Sequence, residues 1–298
     1  MAYTRKMAGK VPVLKQDLVF DETPTLGSEN AVTSGGVAEA VGNVAEQTEQ
    51  DMKDMEEMFL LNLPCAANTL RFEFSKMDYD PTVAGVGSSG TWKNLGAKFH
   101  NVWDWTRSGA DWSASFTNAF KASDNDVEII AAGDTSAVTN MSTLLSSCSS
   151  LKKVCKFYTS NVTNFTEMFY TCTGLTELPL FDLSSANNIN SFLRGCSNLK
   201  IIPSFNTSNV TNFAAAFRNC NEVTDVPLLD TGKATNVSQL FFNCTKVEGG
   251  ALALYTQMST QATPPSTVSD CFKNCGKDTT TGAAELAQIP ASWGGTGT

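Results

Sequence analysis

Hydrophobic residues recur along the C-terminal half of the chain with a period of 24 residues. Each repeat unit has a cysteine, with an aromatic or aliphatic residue three positions before it and an aliphatic residue three positions after it. The cysteine column consists of Cys148, Cys172, Cys196, Cys220 and Cys244. The column three positions earlier includes Phe169, Phe217 and Phe241. Such columns are buried only if neighbouring units stack, so we predict that these eight residues form a repeat core.

Within each unit the spacing changes from helical to extended. One helical face repeats at i, i+3, i+4 and i+7, and this spacing is met by Phe165, Met168, Phe169 and Cys172. The stretch that follows, residues 175–181, is too short for a second helix and suits a brief strand before a turn. One short helix and one strand per unit are typical of leucine-rich repeats. The pattern therefore predicts an α+β fold, a leucine-rich-repeat-type solenoid of 24-residue coils.

The ends of such a stack must be covered, and the flanking sequence predicts how. Residues 64–133 contain the alternating segment LRFEFS and four of the five tryptophans. We predict a small β-rich cap with an aromatic core there, rather than a platform on which sugars stack. We assign residues 134–276 to the solenoid and residues 277–298 to a C-terminal cap or tail.

A narrow apolar stripe with an 11-residue period runs through residues 37–63. It consists of Val37, Val41, Val44, Thr48, Met52, Met55 and Phe59. An 11-residue period favours a straight or slightly right-handed helical bundle, and a lone helix with an acidic opposite face is marginal in water. We predict a coiled-coil-like helix that either packs on the cap or, in the interpretation we favour, provides the seam of a parallel homo-oligomer.

The repeat carries a family resemblance. The segments DTSAVTNMSTLLSSCSSL, YTSNVTNFTEMFYTCTGL and NTSNVTNFAAAFRNCNEV resemble the BspA-type leucine-rich repeat. The third and fifth units depart from the pattern (DLSSANNINSFLRGCSNL and DTGKATNVSQLFFNC), but neither loses a core column. The resemblance implies a bacterial surface protein or a phage protein that binds macromolecules, and adhesion rather than catalysis.

A second resemblance lies before the predicted helix. Residues 24–37, PTLGSENAVTSGGV, are similar to a segment of tail-fibre and other virion proteins of tailed phages, especially phages of gut bacteria. This implies that residues 1–36 form a virion-docking arm and connector that binds other virion proteins. By the same analogy, the homo-oligomer is expected to be a trimer.

Charge and hydropathy narrow the classes of partner. The net charge is −9, and residues 21–62 hold ten acidic residues against one lysine. No basic stripe offsets this charge, so nucleic-acid binding is not expected. No run of 18 apolar residues occurs, so membrane insertion is not expected. The N-terminal stretch MAYTRKMAGKVPVL lacks the apolar core of a secretory signal.

Few residues are suited to catalysis or to holding a cofactor. His100 is the only histidine, which argues against histidine-based triads and multi-histidine metal sites, and we expect a structural role for it. The cysteine spacings do not match zinc motifs, so we expect buried free thiols, no disulfide, no metal and no cofactor. A glycan-degrading enzyme based on two carboxylates is a less favoured alternative.

Polar residues between the apolar columns form the candidate ligand-facing surface of the solenoid. They are Lys152, Lys153, Thr176, Glu177, Lys200, Thr224 and Asp225. Their signs are mixed and no acidic pair stands out, which favours recognition over hydrolysis. We therefore predict a non-enzymatic phage virion protein, a head or tail fibre or a decoration protein. It would be assembled in the host cytoplasm, be exposed on the particle and bind a host-surface glycan or protein. The alternative is a bacterial BspA-like surface adhesin.

Overall fold

A computed structural model describes residues 47–60, 63–121 and 124–298 of the chain. The chain divides into two compact parts, Met1–Met52 and Lys53–Thr298. Of the first part only residues 47–52 are described, and they are helical. The second part contains the sheet and the repeat. Within the described ranges, no helix has both the length and the apolar character needed to cross a membrane.

The regular elements are few. Five strands form one mixed sheet: β1 (Thr69–Phe74), β2 (Thr91–Asn94), β3 (Asn101–Thr106), β4 (Val127–Ala132) and β5 (Leu151–Val154). Their order is β2-β3-β1-β4-β5, and all neighbours are antiparallel except the parallel pair β4 and β5. The helices are α1 (47–60), α2 (Ala251–Thr260) and α3 (Thr280–Leu286), followed by a 3₁₀ turn at Ala291–Trp293.

The inner face of the sheet is aromatic because alternate residues of β1 and β3 point the same way. Phe72 packs on Phe116 with ring centroids 5.0 Å apart, and Trp105 packs on the same ring at 4.6 Å. Trp105 is fully buried and donates its indole N–H to the Gly87 carbonyl. Gly87 has φ +60°, and a Cβ there would lie 2.5 Å from the Phe116 ring, so no larger residue fits. These rings belong to the same apolar core as the repeat.

The outer face of the sheet holds the end of α1 through a buried arginine. Arg71 is 0% exposed and forms a bidentate ion pair with Asp104, at 2.7 and 3.0 Å. Its Nη1 also donates to the Leu60 and Leu63 carbonyls, each at 2.7 Å. Carbonyls at a helix C-terminus lack intrahelical donors, and a cation there is favoured by the helix dipole. Arg71 therefore caps α1 and fixes its last turn to the sheet.

The repeat is made of consecutive tight turns. In the second unit, alternate N–H groups, those of Phe165, Glu167, Phe169 and Thr171, donate to carbonyls of the following unit. The intervening N–H groups of Met168, Tyr170 and Cys172 donate three residues back within their own unit. Glu167 and Thr171 have φ near +55° and +53°, and the equivalent positions of the other units are also left-handed. Half of the N–H groups that an α-helix would use internally thus join one unit to the next.

The fold class predicted from the sequence, a leucine-rich-repeat-type solenoid preceded by an oligomerising helix, is wrong. The chain forms a single mixed five-stranded sheet with few helices. The i, i+3, i+4 and i+7 spacing that predicted a short helix is produced here by consecutive tight turns, because residues i and i+3 share a face in a helix and in such turns. Among the described units, only the first contributes a strand, β5, and that strand pairs with β4 of the preceding region. The described end of α1 is anchored on the sheet by Arg71, so it is part of this folded structure.

The cysteine thiols make a regular set of contacts between units. Each of the five thiols donates to a backbone carbonyl of the preceding turn segment. From the second unit onwards, that carbonyl belongs to the residue three positions before the preceding cysteine. The acceptors of Cys148, Cys172, Cys196, Cys220 and Cys244 are the carbonyls of Phe116, Leu145, Phe169, Leu193 and Phe217, at 3.0–3.3 Å. All five cysteines are 0% exposed. A thiol is small enough for the crowded interior and still offers one weak donor.

An asparagine begins each turn segment and bonds within its own unit. The side-chain oxygen of Asn188, for example, accepts the N–H of Asn190 at 3.0 Å, and the other units repeat this contact. The same positions form isolated parallel bridges from unit to unit. The bridges continue beyond the five cysteine units, to Asp111 at one end and Thr267 at the other.

Candidate functional site

The seven predicted ligand-facing residues occupy equivalent positions on four successive units, and all are exposed. We call residues 152–153, 176–177, 200–201 and 224–225 the exposed strip. In each unit the exposed pair lies between two buried residues, such as Leu199 and Ile202. The Lys200 N–H donates to the Thr176 carbonyl at 3.2 Å, which holds the second and third units in register. The strip is therefore a continuous surface on a packed core.

A cleft opens in the strip between the third and fourth units. Its volume is about 220 Å³, and it is lined by Lys200, Ile201, Ile202, Ser204, Thr224, Asp225 and Pro227. The cleft combines a cationic side chain, an anionic side chain, two hydroxyls and an apolar wall. The cleft is smaller than the roughly 300–1,000 Å³ pockets that enclose small molecules, so it has room only for a side chain or another part of a larger ligand.

Sequence reasoning missed Ile201, although it named its neighbour Lys200. Ile201 is 71% exposed, whereas the equivalent residues of the adjoining units are Glu177 and Asp225. The signal that identifies it is an aliphatic residue in a column that is otherwise polar. Sequence reasoning also missed Leu180 and Leu228, which are exposed and each follow a proline three positions after the strip.

Most charges on the strip are free to meet a ligand. Lys152 lies 3.3 Å from Asp126, and the Thr224 hydroxyl donates to Asp225 at 2.9 Å. Within the described part of the chain, neither Lys200 nor Glu177 forms an ion pair. Surface ion pairs contribute little stability, so these side chains are not required for folding.

His100 belongs to a polar cluster on the outer face of the sheet, where Glu73 of β1, Glu128 of β4 and Lys153 of the strip lie on adjacent strands. Its Nδ1 lies 2.5 Å from the Glu73 carboxylate. Burial lowers the pKa of His100, but the hydrogen bond and negative charge of Glu73 outweigh burial and raise the pKa above its ordinary value. Burial raises the pKa of the neighbouring Glu128, against the opposing charge of Lys153. The contacts of His100 are those of a residue that joins strands and loops.

The cysteines present no reactive or metal-binding arrangement in the part of the chain that the structure describes. All nine are free thiols. Burial raises the pKa of the Cys172 and Cys244 thiols to about 12, which keeps them protonated as donors. No group of three or more His, Cys, Asp or Glu side chains within the described ranges is placed to hold a metal ion.

The predicted oligomer seam is only partly described. Val37, Val41 and Val44 lie outside the described residues, as does the arm of residues 1–36. Thr48, Met52, Met55 and Phe59 are exposed along α1, with Phe59 at 63%. Glu56 of α1 instead contacts the segment before β3, where its carboxylate accepts the N–H groups of Lys98 and Phe99 at 2.8 Å.

Comparison with known proteins gives one family match. A family model described as "Mycoplasma protein of unknown function, DUF285" matches residues 114–201 and 175–277, which together cover more than half of the chain. No curated protein and no solved structure matches the chain. The two matches begin in the turn that precedes the first cysteine unit and end after Cys275, so they cover the repeat and the exposed strip.

Proposed function

Because the chain belongs to the family described as Mycoplasma protein of unknown function, DUF285, we propose that it is a non-enzymatic surface protein that binds a host-surface glycan or protein. Domains of this family are also found in BspA-like surface proteins. The observation that carries the proposal is the exposed strip, which places polar side chains at the same position on successive units. Repeat proteins commonly use such extended surfaces for recognition.

The placement we favour is the surface of a phage particle, as a head or tail fibre or a decoration protein. It is supported by the similarity of residues 24–37 to virion proteins of tailed phages, with residues 1–36 as the docking arm. The second candidate is a bacterial BspA-like adhesin, which the family match favours. Immunogold electron microscopy with antibodies against the full chain separates them, because label on purified particles supports the virion and label on cell envelopes supports the adhesin.

A homo-oligomer, with a trimer favoured, accompanies this proposal. It is supported by the resemblance of residues 24–37 to virion proteins of tailed phages, by which a trimer is expected. Multi-angle light scattering of the full chain should give three times the 31.9 kDa monomer mass. A wild-type monomer would exclude the trimer.

Binding to cells tests the proposed function directly. The fluorescent full chain is incubated with a panel of gut bacterial strains and measured by flow cytometry. We expect binding to a subset of strains that Lys200→Glu with Asp225→Lys abolishes. The control, Lys93→Glu with Asp78→Lys, makes the same charge changes at exposed positions away from the strip. Equal binding by both variants would contradict the role of the strip.

The enzymatic alternative is tested by the release of reducing ends from cell-surface polysaccharide. We expect none from the wild-type chain. Release that is lost in Glu177→Gln with Asp225→Asn would instead assign a hydrolytic role to these two acids.

A further inference from the structure

Large aliphatic side chains are exposed on three successive units: Ile201 within the strip, and Leu180 and Leu228 three positions after it in their own units. Leu180, Ile201 and Leu228 are 51%, 71% and 66% exposed, and we call them the aliphatic ridge. The other exposed large hydrophobic residues of the described chain are Tyr158, Met77, Val83 and four residues of α1. Single exposed apolar residues are ordinary, but several on successive units beside polar groups indicate an interaction site.

Ile201 of the ridge lies beside two charges that form no ion pair in the described chain. Ile201 forms part of the wall of the cleft that Lys200 and Asp225 enter from adjacent units. These two side chains form no ion pair with each other or with other described residues. A ligand that fills the cleft would therefore bury the Ile201 side chain and meet one cation and one anion.

The two ends of the strip differ in charge, although Glu177 and Lys200 between them are of opposite sign in the reverse order. The first unit carries exposed Lys152, Lys153 and Lys156, whereas the fourth and fifth units carry exposed Asp225 and Glu248. Glu222, also near that end, is paired with Lys246 at 2.7 Å. A partner complementary to this surface has negative charge over the first unit and positive charge over the last units.

We infer that the exposed strip binds an extended polypeptide segment with aliphatic residues in its centre, acidic residues over the first unit and basic residues over the last. This rests on the proposed function and specifies its ligand as a protein. Adjacent backbones in such a stack are about 4.8 Å apart and an extended chain rises about 3.3 Å per residue, so the four units of the strip match roughly five residues. None of the strip residues is aromatic, which disfavours the stacking contacts that sugars make.

The test is selection of a displayed library of random nine-residue peptides on the immobilised full chain. We expect enriched sequences with acidic, aliphatic and basic residues in that order or its reverse. The affinity of an enriched peptide should fall at least tenfold in Ile201→Ser. Val83→Ser, at a site that is 85% exposed and far from the strip in sequence, should bind normally. In Lys152→Glu with Lys153→Glu and Asp225→Lys, selection should favour peptides of the opposite charge order relative to the ridge.

Three outcomes overturn the inference: no enrichment over an unrelated protein, enriched peptides that bind Ile201→Ser as tightly as wild type, or enrichment without the charge order. Thermal unfolding of each variant confirms folding, which these exposed substitutions should not affect. Binding to a glycan array that Ile201→Ser abolishes would refute the polypeptide ligand and leave the proposed function intact. Peptide enrichment by a chain that attaches to no cell would refute the proposed function and leave the polypeptide site.

Discussion

The cysteine column offers the most direct test of how the units are held together. Cys196 is 0% exposed, and its thiol donates to the Phe169 carbonyl of the preceding unit at 3.1 Å. That carbonyl also accepts the Cys172 N–H at 3.2 Å, so Cys196→Ala removes one weak bond without leaving the oxygen unpaired. The substitution also removes apolar volume from a packed interior.

The magnitude follows from three contributions to the free energy of unfolding. The S–H···O bond is worth about 0.5 kcal/mol, and the lost burial of one methylene-sized group about 0.8 kcal/mol. A residual cavity of roughly 20 Å³ adds about 0.5 kcal/mol. Cys196→Ala should therefore destabilise the chain by about 2 kcal/mol. Cys65→Ala, at a half-buried site outside the column, should cost about 0.5 kcal/mol or less.

Urea unfolding followed by circular dichroism and by tryptophan fluorescence measures these differences. Coincident transitions from both probes are needed before free energies are compared, since stacked repeats can lose cooperativity. Burial raises the pKa of Cys196 well above its ordinary value, so native-state labelling with a thiol reagent should spare it. A Cys196→Ala midpoint equal to that of wild type, or rapid labelling of Cys196, would refute the packing we describe.

Three further predictions concern the turns, the α1 cap and the effect of pH. Asn188→Ala should cost about 1 kcal/mol of unfolding free energy through loss of its turn bond, whereas Asn188→Asp should retain most of it; equal losses would contradict this. Arg71→Ala should cost about 3 kcal/mol, because it leaves a mostly buried carboxylate and two helix carbonyls without their donor. Limited proteolysis should then cut within α1, and uncut α1 would refute the cap. The folded-state pKa of His100 is raised. Its contribution to the free energy of unfolding is therefore complete below the unfolded-state pKa near 6.5, and it is lost as pH rises through the folded-state pKa. His100→Gln should flatten that part of the stability–pH curve, and the Glu128→Gln variant separates the parallel effect of Glu128, whose pKa is also raised.

The sequence predicted side-chain columns far better than backbone conformation. Residues that share a face at i, i+3 and i+4 do so in a helix and also in consecutive tight turns, so the Phe165–Cys172 spacing could not distinguish the two. The distinction depends on whether the Phe165 N–H bonds within its unit or to the next, and it bonds to the carbonyl of Asn188. That partner lies one unit away, beyond the reach of local periodicity.

The candidate site shows the same limit. Polar residues in an otherwise apolar repeat, such as Lys200 and Asp225, could be identified from the sequence as surface positions. The aliphatic ridge could not, because exposure of Ile201 is invisible to a rule that assigns aliphatic residues to the core. Arg71 was missed for the converse reason, since a charged residue in a strand is usually read as solvent-facing, and here it is fully buried.

The alternation of bonds along the turns has a consequence for how this chain tolerates insertions and deletions. Adding or deleting one residue between Asn164 and Cys172 would exchange the N–H groups that bond outward with those that bond inward, and a whole face would lose its acceptors. The connections between turn segments have no such alternation of bonds, so their length can be odd or even. At the two ends of the ladder, Asp111 to Asn140 spans 29 residues and Asn236 to Thr267 spans 31, without interrupting the bridges. Length variants of this chain should therefore differ by complete units or by loops of any size between turn segments, and single-residue changes within a turn segment should be selected against.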